Sequence, residues 1–138
     1  MAEKSGFTPG TVNLIVVRDQ GKCARCGAHV AHLERGRAWS IHHRRPRGKG
    51  GTSIAWVSAA ANGLVLCGSG TTGCHGWVES HRAEAIMAGF LVSLNGVRVA
   101  ADVVIRHALL GLVYLTDDGG WIPVEEGPTP ESMWGEAA

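Results

Sequence analysis

Four cysteines fall into two close pairs, Cys23 with Cys26 and Cys67 with Cys74. Two residues separate the first pair, the spacing of a knuckle that turns both sulfurs toward one ion. Six residues separate the second pair, three of them glycine, which leaves that loop free to close on the same point. Together the pairs make a tetrahedral thiolate set with no open position, which is the chemistry of structural zinc. A second group of reactive types is interleaved with them. His42 and His43 open a basic run, Arg44, Arg45, Arg47 and Lys49, that contains no acid. Asn62 follows, His75 stands beside Cys74, and Glu79 lies four residues after His75, on the same face if that segment is helical. Imidazole titrates near neutral pH and also ligates divalent ions, so these histidines are candidates for proton transfer or metal binding. The basic run would form a local electrostatic footprint for phosphate.

The elements that must position these groups are short. Thr8-Pro9 reads as a helix start, and Pro9 to Gln20 as a helix with Val12, Ile15 and Val16 inward, although the apolar run Leu14 to Val17 also suits a strand. Gly21 stops it. Ala38 to His43 is an extended candidate leading into the basic loop. Ser53 to Ala61 fits either class, and Leu64 to Leu66 is a short strand or turn before Cys67. A helix is predicted from Cys74 through Trp77, Val78, His81 and Ile86, with Gly89 as its stop. Phe90 to Leu94 and Val97 to Ile105 look strand-like. Leu112 to Thr116 and Trp121 to Val124 flank Asp117-Asp118-Gly119-Gly120, a hairpin signal. The residues from Gly127 onward, rich in Pro, Gly and acid, are expected to be disordered.

Composition bounds this reading. A chain of 138 residues, 45% hydrophobic, suffices for a compact domain with a modest core. Twenty glycines point to a loop-rich fold of the kind that needs a staple. The net charge of +1 does not by itself announce a nucleic-acid binder; the clustering of the cations does. Neither a signal-peptide pattern nor an apolar membrane span is visible, so the expectation is a soluble cytoplasmic protein whose cysteines hold metal rather than form disulfides.

Taken together, the two cysteine pairs, His42-His43-Arg44-Arg45-Pro46, Gly50-Gly51, Asn62 and Cys74-His75 resemble the HNH endonucleases, and most of all the small zinc-bearing type common in bacteriophages and actinobacteria. The motif match spans Cys23 to His81. The resemblance implies an α+β fold, a ββα-metal core stapled by the zinc held by Cys23, Cys26, Cys67 and Cys74, with a C-terminal β-hairpin extension. It divides the chain into a nuclease domain at 1–90 and a β-rich extension with an acidic tail at 91–138. It implies that His43 is the general base, Asn62 the residue that ties the loop backbones together, and His42 and His75 the ligands of a catalytic divalent ion. Glu79 is the geometrically favoured third ligand. That ion would be Mg2+, or Mn2+, Ni2+ or Zn2+. Arg44, Arg45, Arg47 and Lys49 would grip DNA phosphates, and the strands around Tyr114 and Trp121 would close the core. The implied reaction is hydrolysis of DNA phosphodiester bonds. The partner is DNA, with phage packaging proteins such as terminase as further candidates, and no membrane is involved.

The same residues admit plainer readings. A His-His pair on a basic loop is ordinarily solvated surface, Asn62-Gly63 is most simply a turn, and His75 would serve equally as a zinc ligand in a Cys3His site. His81 reads as a surface or partly buried helix residue, and His29, His32 and His107 as incidental. Two other functions also fit the motifs: a zinc-dependent DNA-binding module without catalysis, and an accessory protein of phage DNA packaging.

Overall fold

A computed structural model describes residues 6–46, 54–93 and 98–124. Among them are three α-helices and two small antiparallel sheets, an α+β arrangement. Helix α1 (Pro9–Arg18) starts where the sequence places it: the Thr8 side chain accepts from the Thr11 amide, and Pro9 occupies the first turn, where its missing N–H costs nothing. Ile15 and Arg18 are its buried residues, and the chain leaves the helix through left-handed Gln20 and Gly21.

Strands β1 (Trp39–His43) and β2 (Gly63–Cys67) form one antiparallel pair, with His42 opposite Leu64 and His43 opposite Gly63. Because strand side chains alternate, this pair has a different neighbour on each face. Val65 and Ile41 face α1 and pack with Phe7 and Ile15. Leu64 and Leu66 face the other way, into a cluster with Val78, Phe90, Leu91, Ile105, Val113 and Leu115. Gly63 is the point of closest approach to α1. A Cβ there would collide with the Ile15 side chain and sit 3.0 Å from the Phe7 ring, so a larger residue would push the helix away.

The predicted long helix is two helices, α2 (Gly73–Ser80) and α3 (Arg82–Ala88). The break is at His81, whose φ of −125° and ψ of 57° leave the helical region. Ser80 and His81 turn their side chains back on the carbonyl of Trp77, which competes with continuation of the helix. Gly89, at φ 89°, ends α3 as expected. The strand-like segments that follow are a correction. Phe90 to Val92 run without strand pairing, and a short 3-10 turn at Ala100–Asp102 leads into β3 (Ile105–His107). Phe90 to Val92 look like a core strand because all three are buried apolar residues, although the chain winds there without pairing. The final hairpin, β4 (Gly111–Leu115) and β5 (Trp121–Pro123), forms around Asp117 to Gly120. Val113 and Leu115 close the core, whereas Trp121 and Ile122 are about half exposed and do not. The shared cluster crosses residue 90, so the C-terminal strands are packed into the same core as β2 and α2. The segment from Gly127 lies outside the described residues, and no helix among those described is long and apolar enough to cross a membrane.

Two buried arginines hold these layers together, and neither was anticipated in that role. Arg18 donates to both oxygens of Asp19 and to the carbonyls of Ala60 and Gly63. Asp19 also accepts from the Val65 amide and from His107 Nε2 at 2.8 Å. His107 Nδ1 in turn accepts from the amides of Leu109 and Leu110, so its proton sits on Nε2, aimed at Asp19. His107 is therefore a structural member of a buried network joining α1, β2 and β3, not an incidental histidine. Its role was illegible because its partner is 88 residues away.

Burial alone would raise the Asp19 pKa. The hydrogen bond from His107 and the charge and hydrogen bonds of Arg18 outweigh it and hold the carboxyl below its ordinary 3.8. A carboxylate whose folded value is depressed contributes stability above its unfolded value, and that contribution is lost as pH falls through the folded value. Asp19→Ala should cost about 3–5 kcal/mol in urea titration at pH 7, because it strands a buried Arg18. The penalty should shrink below about pH 4, where Asp19 of the unfolded chain binds a proton that the folded carboxylate does not yet take up.

Candidate metal centres

The first centre is the cysteine cluster. The Sγ atoms of Cys23, Cys26, Cys67 and Cys74 all lie within 4.8 Å of one another. Cys26 and Cys67 are 3.8 Å apart, the separation that a tetrahedral ion with Zn–S bonds of about 2.3 Å would give its sulfurs. The Cys26 amide points at Cys23 Sγ at 3.4 Å and the Cys74 amide at Cys67 Sγ at 3.3 Å, so each pair is a closed knuckle that stabilises thiolate. Gly27 and Gly68, with φ of 82° and 87°, make the turns. At Gly68 a Cβ would run into the Thr72 carbonyl and at Gly73 into the Cys67 carbonyl, which accounts for two of the three glycines in this loop. Arg25, inside the first knuckle, reaches Cys74 Sγ at 3.4 Å while its guanidinium lies 3.7 Å from the centre of the Trp77 ring. Four thiolates around a dication carry a net double negative charge, and a fixed neighbouring cation offsets part of it. The described thiols are free of disulfides, and the cluster could hold an ion such as zinc.

The second centre lies on the other side of Cys74. His75 is on the first turn of α2, His42 near the end of β1, and Glu79 one helical turn beyond His75. One ligand atom from each lies within 4.8 Å of the others. The His42 and His75 rings meet edge to face, 5.2 Å between centroids, and His75 Nε2 is 3.9 Å from Glu79 Oε2. Both rings face the pair because Ser40 and His42, two apart on β1, share the face on which α2 packs. His42 is almost fully buried, and burial drives its pKa down to about 3, against the hydrogen bond to Phe90. Burial also lowers His75, with Glu79 opposing. Neutral imidazoles keep a lone pair for a cation, so the donor set of two nitrogens and a carboxylate suits a divalent ion. Glu79 is further held by Arg82 at 3.1 Å.

His43 occupies the opposite face of β1. Its ring stacks on Phe7 at 4.2 Å and 14°, on the α1 side of the strand pair. Asn62 is fully buried just before β2. Its Oδ1 accepts from the Arg45 amide at 2.8 Å, and its Nδ2 donates to the carbonyls of Arg45 and Val57. With the Arg44 amide donating to the Asn62 carbonyl, the chain leaving His43 is tied down at both of the next two residues.

Of the four basic residues assigned to phosphate, Arg44 is a correction. It is 0% exposed, and its guanidinium donates to the carbonyls of Gly89, Ala61, Ala100 and Val103 at 2.8 to 3.1 Å. It cannot reach a phosphate. The run-based reading failed because nothing in a string of cations reveals which one turns inward. Arg45 is half-buried, 5.9 Å from the Trp56 ring, and Arg47 and Lys49 lie outside the described residues. His81 is exposed and stacks on Trp77. Comparison with family models, with curated proteins and with solved structures finds no match.

Cys67→Ser should lower zinc content from one ion per chain and cost much of the fold, because ion binding at such a cluster is folding free energy. Elemental analysis and circular dichroism read this directly. His75→Ala should leave that zinc in place, since four sulfurs already complete the shell. Loss of zinc in His75→Ala would assign His75 to the cysteine centre instead.

Proposed function

We propose that the chain is a divalent-metal-dependent endonuclease that hydrolyses phosphodiester bonds in DNA. The observation that carries this reading is the convergence of His42, His75 and Glu79 at the junction of a β-pair and the helix that follows it, next to a separate four-cysteine centre. The order strand, strand, helix, with one histidine on the first strand and another on the first helical turn, agrees with the HNH resemblance of the motifs.

The residues divide the work. His42, His75 and Glu79 would hold a divalent cation. When bound, it supplies charge neutralisation at the phosphate and stabilisation of the departing oxygen. His43 would take the proton from the attacking water, as an imidazole suits near neutral pH, acting from the opposite face at the end of β1, where neighbouring side chains can flank one phosphate from two sides. Asn62 fixes the backbone that follows His43. Arg45, with Arg47 and Lys49 of the same run, supplies phosphate contacts, which position the duplex without reading its sequence.

The test is plasmid DNA incubated with the zinc-loaded protein and Mg2+, Mn2+, Ni2+ or Zn2+ in turn, with chelator as control. Cleavage is expected in at least one ion. His43→Ala should lose about 10²–10⁴-fold in rate with folding and zinc content unchanged. Glu79→Gln should lose activity that partly returns at high metal concentration. Binding without cleavage in every ion would make the protein a DNA-binding module instead. Arg45→Ala should weaken DNA binding across sequences and flatten its salt dependence, read by fluorescence anisotropy between 50 and 200 mM salt.

A further inference from the structure

The two imidazoles of the second centre are not oriented alike. His42 Nε2 lies 2.8 Å from the Phe90 carbonyl oxygen, an atom that can only accept. Nε2 therefore carries the ring proton, and Nδ1 is left with the lone pair. That carbonyl is held in place on both sides: Arg44 Nε donates to the Gly89 carbonyl at 2.8 Å, and the Val92 amide donates to the Arg44 carbonyl at 2.8 Å. His75 presents the opposite edge. Its Nδ1 is 2.7 Å from Ser40 Oγ, while Nε2 faces Glu79. Ser40 Oγ also lies 3.4 Å from the Gly68 carbonyl, again an atom that only accepts. With the hydroxyl proton directed there, Oγ accepts from His75 Nδ1–H and leaves Nε2 bare. Gly68 follows the thiolate residue Cys67 and is pinned by its amide to the Ala38 carbonyl at 2.7 Å, so the relay ends on rigid backbone of the cysteine centre.

We propose that Ser40 is the positioning residue that selects the ring nitrogen His75 offers to the cation, so that the two histidines bind through opposite atoms, His42 through Nδ1 and His75 through Nε2. This rests on the reading of His42, His75 and Glu79 as a cation site. Ser40 touches neither the ion nor a substrate. It acts as an outer-shell partner, orienting the ligand and setting its tautomer.

The experiment uses the full chain with its cysteine centre loaded and a second equivalent of Zn2+ as the probe. Calorimetry gives its affinity, and long-range 15N–1H spectra of the imidazoles report which nitrogen carries the proton and which the metal. The wild-type chain should show metal on His42 Nδ1 and His75 Nε2. Ser40→Ala should bind the second Zn2+ about 10–100-fold more weakly, Ser40→Thr should recover most of the loss, and neither should change the melting temperature by more than a few degrees. Metal on His75 Nδ1, or an unchanged affinity in Ser40→Ala, overturns the role of Ser40 and leaves the site standing. Absence of a second Zn2+ in the wild-type chain, or binding that His42→Ala and Glu79→Gln do not alter, overturns the site and the proposal together. If Ser40→Ala does not fold, the nitrogen assignment in the wild-type spectra decides alone.

Discussion

A guanidinium removed from water must find acceptors for its N–H groups, and at Arg44 that requirement organises the molecule. Burial is complete, and it draws the Arg44 pKa down to about 9, so the charge is costly where it sits. It is accommodated because four carbonyls from three parts of the chain converge on it: Ala61 before β2, Gly89 at the end of α3, and Ala100 and Val103 ahead of β3. These carbonyls lie in short 3-10 turns, at a helix end or in a loop, where regular helix or sheet bonding does not claim them. The cation thus fastens the C-terminal strands to the β1–β2 pair where apolar packing alone would leave the loops unspecified. The same clamp places the Phe90 carbonyl against His42, so a fold-level constraint reaches directly into the cluster of His42, His75 and Glu79.

The two centres are mechanically one unit. Cys74 and His75 are neighbours on the first turn of α2, and the cysteine cluster fixes that turn relative to the knuckle of Cys23 and Cys26. The knuckle is itself bonded to β2 through the Ala24 amide and the Val65 carbonyl. A helix of eight residues has little stability of its own, so this anchoring, rather than helix propensity, holds His75 and Glu79 against β1. The stack of Arg25 on Trp77 and of Trp77 on His81 stiffens the exposed side of the same helix.

Local signals carried much of the outline. The Thr8-Pro9 start, the extended segment ending at His43, the short strand or turn at Leu64 to Leu66, the Gly89 stop and the hairpin around Asp117 to Gly120 are each written in a few adjacent residues, and each has its counterpart in the fold. What failed was whatever depended on solvent access. The break at His81 and the loop from Phe90 onward arise because side chains return to nearby carbonyls or because both faces of a segment are covered, and periodicity senses neither.

From residue types and spacing alone, the sequence determined that four thiols could converge and that Glu79 stands one helical turn from His75, because knuckle spacing and the helical i,i+4 relation are local geometry; the grouping of His42 with His75 came from the family resemblance of the motifs. Only the tertiary structure decided the direction in which each charged group points. Arg44 and Arg45 are adjacent and chemically identical, yet one is sealed in the core and the other is half-buried. His107 and His43 likewise differ in role through partners that lie far away in sequence. The physical reason is that burial and hydrogen-bond completion are properties of the whole packed chain, and a buried cation or imidazole is defined by acceptors that sequence neighbours do not supply.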